Sequence, residues 1–178
     1  SRGTRPASIT GTDGRIRQLT VEQDHDWCPT VLPSGRILYL RWEYTDIPHA
    51  FSRILFHMNP DGTEQMAYYG SNSYWPNAMF YARPLPGHPT KVVAVVGGHH
   101  DVPRMGELVI FDPARGVFEA DGAVQRIPGR GRRVEATVLD LVTAQSYPTF
   151  LHPFPLSEKY MLAACKPSAG ALWGIYLV

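Results

Sequence analysis

The chain has 178 residues, is 44% hydrophobic and 11% aromatic, and carries a formal net charge of +1 at pH 7. That composition supplies a real core and excludes a disordered chain, and the near-neutral charge excludes the broad basic field that a nucleic-acid partner requires. With 16 glycines and 16 prolines, the sequence favours many short strands joined by turns over long helices.

Residues 1–9 are polar and read as loose. Asp13-Gly14 then forms a turn into a short strand, Ile16 to Thr20. A segment from Asp24 to Leu32, the turn Pro33-Ser34-Gly35 and the apolar run Arg36 to Trp42 make a hairpin. Ile54 to Met58 is the next strand, closed by Asn59-Pro60-Asp61-Gly62, and Gln65 to Tyr69 follows. The pattern recurs. Trp75-Pro76 opens a strand, Leu85-Pro86-Gly87 turns, Lys91 to Val96 is a buried run, and Leu108 to Phe111 is its neighbour, closed by Asp112-Pro113. It recurs a third time, with Tyr147 to Leu151, a turn from Pro155 to Glu158, Tyr160 to Cys165, and Leu172 to Val178.

The fold expected is therefore all-β, a partial β-propeller of about three four-stranded antiparallel blades with one insertion. Residues 1–20 end a preceding blade, 21–70 form a blade, 71–146 form a blade with an insertion at about 116–146, and 147–178 form an incomplete blade. Pro29, Pro76 and Pro148 mark the blade openings, and Trp27, Trp75 and Tyr147 each begin an innermost strand. Within the insertion, Arg126 to Arg133 reads as an exposed basic loop, and Val134 to Thr143 as a short helix or an extra strand.

In such an arrangement, alternate connections fall on opposite ends of the sheets. One end collects Pro-, Gly- and Asp-rich turns. The other collects His25, Asp26 and Trp27, Arg41 to Asp46 and His49, Tyr74, Trp75 and Asn77, His99, His100, Asp101 and Arg104, and Gln145 and Tyr147. This polar and aromatic face is where a ligand site is expected. Arg41, Glu43, Asp46, Trp75, Asn77 and Arg104 are the ligand-binding candidates. An ion-pair network around Arg41, Glu43 and Asp46 is the structural alternative, and Trp27 and Trp75 at repeated positions also suit packing. His25, Asp26, His99, His100 and Asp101 are the metal-ligand candidates, by donor type. Adjacent His99 and His100 share one ion only where the backbone is irregular, which Gly97-Gly98 permits. Hydrogen bonding to neighbouring blades is the alternative for these histidines. Trp27, Tyr74 and Trp75 also suit a carbohydrate or peptide.

Cys28 and Cys165 form no CxxC and no CxxCH, so the segment has no c-type haem attachment and no cofactor of its own is expected, a metal excepted. Two buried thiols are expected, with a disulfide as the alternative. No stretch approaches the length of a transmembrane helix. No Gly-x-Ser-x-Gly elbow is present, and catalytic residues are not assigned.

Tyr39-Leu40-Arg41-Trp42-Glu43-Tyr44-Thr45-Asp46, Tyr68 to Asn77, Gly98-His99-His100, Gly106-Glu107-Leu108 with Asp112-Pro113, and Phe150-Leu151-His152-Pro153 with Trp173 to Leu177 resemble the middle-domain propeller of the hydrazine synthase alpha subunit family. Asp-Gly before Gln-Leu-Thr, and Met58 to Thr63, resemble TolB-like propellers more broadly. The resemblance implies a segment of a larger, exported or periplasmic bacterial protein. Its partners would be neighbouring blades and domains of the full-length protein or complex, with no nucleic acid and no membrane segment. It implies a scaffold or interaction module, non-catalytic itself, with a multidomain redox enzyme as one parent. The alternative is a metal- or ligand-binding site, enzymatic or not, around His99, His100 and Asp101.

Overall fold

The computed structural model describes residues 8–10, 14–22, 25–43, 52–98, 104–129 and 146–178. Two short strands come first: β1 (Ser8–Thr10) pairs antiparallel with β2 (Ile16–Gln18). Residues 8 and 9, expected to be loose, thus form part of a hairpin. Three antiparallel meanders follow. The first is β3 (Asp26–Val31), β4 (Ile37–Glu43), β5 (Ser52–Met58) and β6 (Met66–Tyr69). The second is β7 (Ala78–Pro84), β8 (Val92–Gly97), β9 (Glu107–Phe111) and β10 (Ala123–Ile127). The third is β11 (Thr149–Pro155), β12 (Met161–Lys166) and β13 (Gly174–Leu177). No helix occurs among the described residues.

The turns form where Gly, Pro, Asn and Asp predict them. Gly35 N–H donates to the Leu32 carbonyl at 2.9 Å, and Gly62 N–H to the Asn59 carbonyl at 2.9 Å. Both glycines hold positive φ, at 81° and 88°, where a side chain would be strained. His88 N–H closes on Leu85 at 3.2 Å and Arg115 N–H on Asp112 at 3.0 Å. These turns connect first to second strands and third to fourth strands, so they share one end of the meanders.

One span differs from the sequence expectation. Ala123–Ile127 lies inside the stretch read as an insertion, yet β10 pairs with β9 as the fourth strand of the second meander. The reason is electrostatic and aromatic as well as backbone pairing. Arg126, read as the start of an exposed loop, binds the Glu107 carboxylate from the neighbouring strand and lies over Trp75, 5.4 Å from the ring centroid. Residues 130–145, including the span read as helix or strand, lie outside the described residues.

Successive meanders are joined by very little backbone pairing. The first and second meet at a single parallel bridge, Arg53 to Ala78, with Arg53 N–H donating to the Asn77 carbonyl at 2.8 Å. The second and third meet at Gly106 and Phe150, which exchange hydrogen bonds of 2.8 and 3.2 Å. Gly106 is required there, because a Cβ would sit 1.9 Å from the Val96 carbonyl oxygen. Side chains do the rest. β7, the first strand of the second meander, lies against both β3 and β11, the first strands of its neighbours. Val92 to Val96 are buried on both faces, because β8 has a sheet on either side. Leu19 closes the far side of the first meander, over Ile37, Tyr39 and Met58.

The third sheet is apolar on both faces. Phe150, Met161, Ala163 and Cys165 are buried against the second meander. On the opposite face, register aligns Leu151, Ala164 and Ile175 in one row and Phe154, Leu162 and Leu177 in another. Ile175 is 75% exposed and Leu177 is 63% exposed.

Candidate functional site

The strand ends opposite the turns carry two distinct clusters, separated by the alternation of side chains along β3. Asp26 lies opposite Arg41 in register. Its carboxylate meets Arg41 Nε at 3.5 Å, while Arg41 Nη2 reaches Glu22 at 3.0 Å and donates to the Tyr39 hydroxyl at 2.9 Å and to Gln65 Oε1. The guanidinium also covers Phe56, 4.4 Å from the ring centroid. Burial pushes the Asp26 carboxyl up, opposed by Thr20 and Arg41. This is a buried ion-pair network that ties β3, β4 and the segment after β2 together.

The other side of β3 carries aromatic rings and a second set of cations. His25 stacks on Trp27 at 5.0 Å with the planes 4° apart, and on Trp42 at 5.8 Å. Arg53 lies 5.6 Å from the Trp27 ring centroid and 5.2 Å from that of Trp42. Arg104 lies 5.0 Å from Trp27 and 5.3 Å from Phe80. Two guanidiniums thus share one indole, an arrangement cation–π attraction supports. Burial, and then the Arg104 charge, hold the Arg53 guanidinium down at about 10. His25 Nδ1 is buried and makes no hydrogen bond among the described residues.

The candidate residues therefore separate. His25, Trp27 and Arg104 come together with Trp42 and with Arg53, which the sequence reading missed. Arg41 and Asp26 form the network on the other side, so His25 and Asp26 do not converge. Trp75 is buried in the core, its backbone N–H donating to the Glu119 carboxylate at 3.0 Å and its ring 5.8 Å from that of Phe111. Asn77 is buried and holds Arg53 through its backbone carbonyl. Glu43 ends β4 opposite Ser52. Asp46, His99, His100 and Asp101 lie outside the described residues. Among the described residues, no group of three or more His, Cys, Asp or Glu gathers as metal ligands would. Cys28 and Cys165 are free thiols, both pushed up by burial.

The alignment of the repeats also changes. Trp27 is the second residue of β3, whereas Trp75 and Tyr147 precede β7 and β11. The true equivalence is set by a bulge in each first strand, after Trp27, Phe80 and Leu151. Cys28, Tyr81 and His152 follow those three residues, each in the left-handed region with φ of 53°, 55° and 48°. A bulge inserts one residue and turns the strand, so a marker upstream of it falls out of register with one inside it. The repeated signal that remained in the sequence is an apolar or aromatic residue, then the left-handed residue, then Pro29, Ala82 or Pro153.

The fold and these clusters define an all-β domain built from sequential antiparallel meanders. Among solved structures it is similar to hydrazine synthase from Kuenenia stuttgartiensis, with a TM-score of 0.60 and 16% sequence identity over 91% of this chain and 19% of that chain. The likeness is one of fold, and the chain spans about a fifth of that protein chain's length. No protein-family model matches the chain, and no curated protein matches it.

Proposed function

We propose that the chain is an arc of a β-propeller, working as a scaffold or interaction module inside a larger, exported bacterial protein and related to the middle domain of the hydrazine synthase alpha subunit. The observation that carries this is the third sheet. It is apolar on both faces, yet among the described residues only one face has a neighbour. A sheet of that kind is an inner layer, because large exposed apolar patches mark surfaces that something covers. Adjacent first strands β3, β7 and β11, each leading an antiparallel meander, are what neighbouring propeller blades would look like. The occupant of the open face is a further four-stranded sheet of the same polypeptide.

The test compares residues 1–178 alone with the longer polypeptide by sedimentation and by binding of a hydrophobic dye. The isolated chain should associate and bind dye, and Ile175→Ser with Leu177→Ser should relieve both. In the longer polypeptide the same substitutions should destabilise. A monomeric isolated chain that binds no dye, with the double substitution silent in both settings, would sink the proposal.

A ligand or metal site on the end face is the second reading. It is favoured by the His25, Trp27, Trp42, Arg53 and Arg104 cluster, which lies at the strand ends from which 99–103 depart. Elemental analysis of the purified full-length protein, beside a His99→Ala/His100→Ala variant, tests the metal. A stoichiometric ion lost in the variant supports it, and a metal-free wild type removes it.

A further inference from the structure

Three equivalent positions in three successive first strands hold non-glycine residues in a backbone conformation that L-residues avoid. Such conformations persist where the surroundings over-determine them, and they gather at functional sites. Here they converge. The Tyr81 ring lies 4.0 Å from the His152 ring, centroid to centroid. Cys28, Tyr81 and His152, with the residues after them, line one cavity of about 300 Å³. That volume is at the small end for ligand pockets.

The walls of the cavity specify a chemistry. Tyr81, His152 and Phe154 offer flat unsaturated faces, and Pro29 and Pro153 are rigid and apolar. Arg83 lines it too, at the exposed rim, and among the described residues no acidic side chain does. The charge of Arg104 reaches the same place, acting on both Cys28 and Tyr81. Flat apolar walls under a one-signed cationic field suit a ligand with a planar body and a single anionic group. A guanidinium grips a carboxylate through a planar, two-pronged contact.

We propose that this cavity binds a small aromatic carboxylate of one or two rings, its carboxylate on Arg83 and its ring against Tyr81, His152 and Phe154. All of its named residues come from the first strands β3, β7 and β11. The thiol of Cys28 is a wall of the pocket. Its proton is retained, because burial holds it up against Arg104 and Arg83.

Calorimetric titration of the full-length polypeptide carrying this chain tests the site, using 2-naphthoate, its neutral counterpart 2-naphthamide, and inorganic phosphate. 2-Naphthoate should bind at least about tenfold more tightly than either of the others. Arg83→Gln should remove that preference for the acid over the amide. Phe154→Ala should weaken acid and amide alike. Arg83 is exposed, so Arg83→Gln should keep the wild-type circular dichroism spectrum; Phe154 shares the outer row of the third sheet with Leu162 and Leu177, so Phe154→Leu, which keeps an apolar side chain there, is the control for folding. Absence of naphthoate binding, equal binding of acid and amide, phosphate binding as tightly as naphthoate, or an unchanged preference in Arg83→Gln would each overturn the assignment.

Discussion

Val95 and Ile175 are both β-branched or aliphatic residues in the interior of a short strand, yet one is fully buried and the other is 75% exposed. The second meander lies between two sheets, so β8 is covered on both faces. The third lies against one, so β13 meets solvent with the same kind of side chain. Local sequence pattern is alike in the two regions. What differs is whether a neighbour exists, and this teaches that a strand's composition records the environment for which it is built.

The comparison can be broken by substitution. Leu108, fully buried in β9, should cost about 3 kcal/mol when changed to Ala, read from denaturant unfolding, because the cavity left between sheets cannot collapse. A cost below about 1 kcal/mol would mean that the sheets are not packed as described. Arg41→Met should cost about 2 kcal/mol, since it leaves the buried Asp26 carboxylate without its cation. Adding Asp26→Asn to that variant should recover part of the loss, which a simple packing defect would not show.

Smaller effects sharpen the same contrast. Thr90 donates to Asp112 at 2.8 Å, and this bond, more than any other influence, holds the Asp112 carboxyl below its usual range. Thr90→Val should cost about 1 kcal/mol near neutral pH, and the difference from wild type should shrink as acid protonates Asp112. His57 is pushed down by burial and then by Arg36, whose Nε donates to its Nδ1 at 3.0 Å. Its folded state therefore resists the proton, so stability is full above the unfolded value and is lost as pH falls below it. Between about pH 7 and pH 5 the melting temperature should drop more in wild type than in His57→Gln. Last, Ile175→Ala should change the stability of residues 1–178 by less than about 0.5 kcal/mol, as exposed substitutions do. In the longer polypeptide the same change should cost about 1–3 kcal/mol if a sheet covers that face.

Strand positions were legible because two signals agree: β-rich apolar runs, and turns such as Pro33-Ser34-Gly35 or Asn59-Pro60-Asp61-Gly62 that fix where those runs stop. The site was legible only in part. His25, Trp27 and Arg104 fall near one another at the strand ends opposite the turns, since strand ends alternate between two sides. Arg53 was missed because it opens an apolar run and nothing local shows that it lies over Trp27 and Trp42. The bulges were hidden for a different reason. Left-handed positions are read from Gly or Asn, and Cys28, Tyr81 and His152 are neither. Only tertiary packing forces them there, and with them the register of the repeats. β10 hides in a stretch that reads as insertion, because Glu107 and Arg126 become partners only once β9 and β10 lie side by side.

The thin stitching between meanders has a kinetic consequence. Nearly all backbone pairing is between strands adjacent in the chain, while each sheet is joined to the next at Arg53 and Ala78 or at Gly106 and Phe150. A growing polypeptide can therefore finish the first sheet once Tyr69 is made and the second once Ile127 is made, without waiting for distant segments. Each completed sheet would leave the ribosome with one greasy face awaiting its successor. Translation would then be a relay in which the next unit made is also the protector of the last.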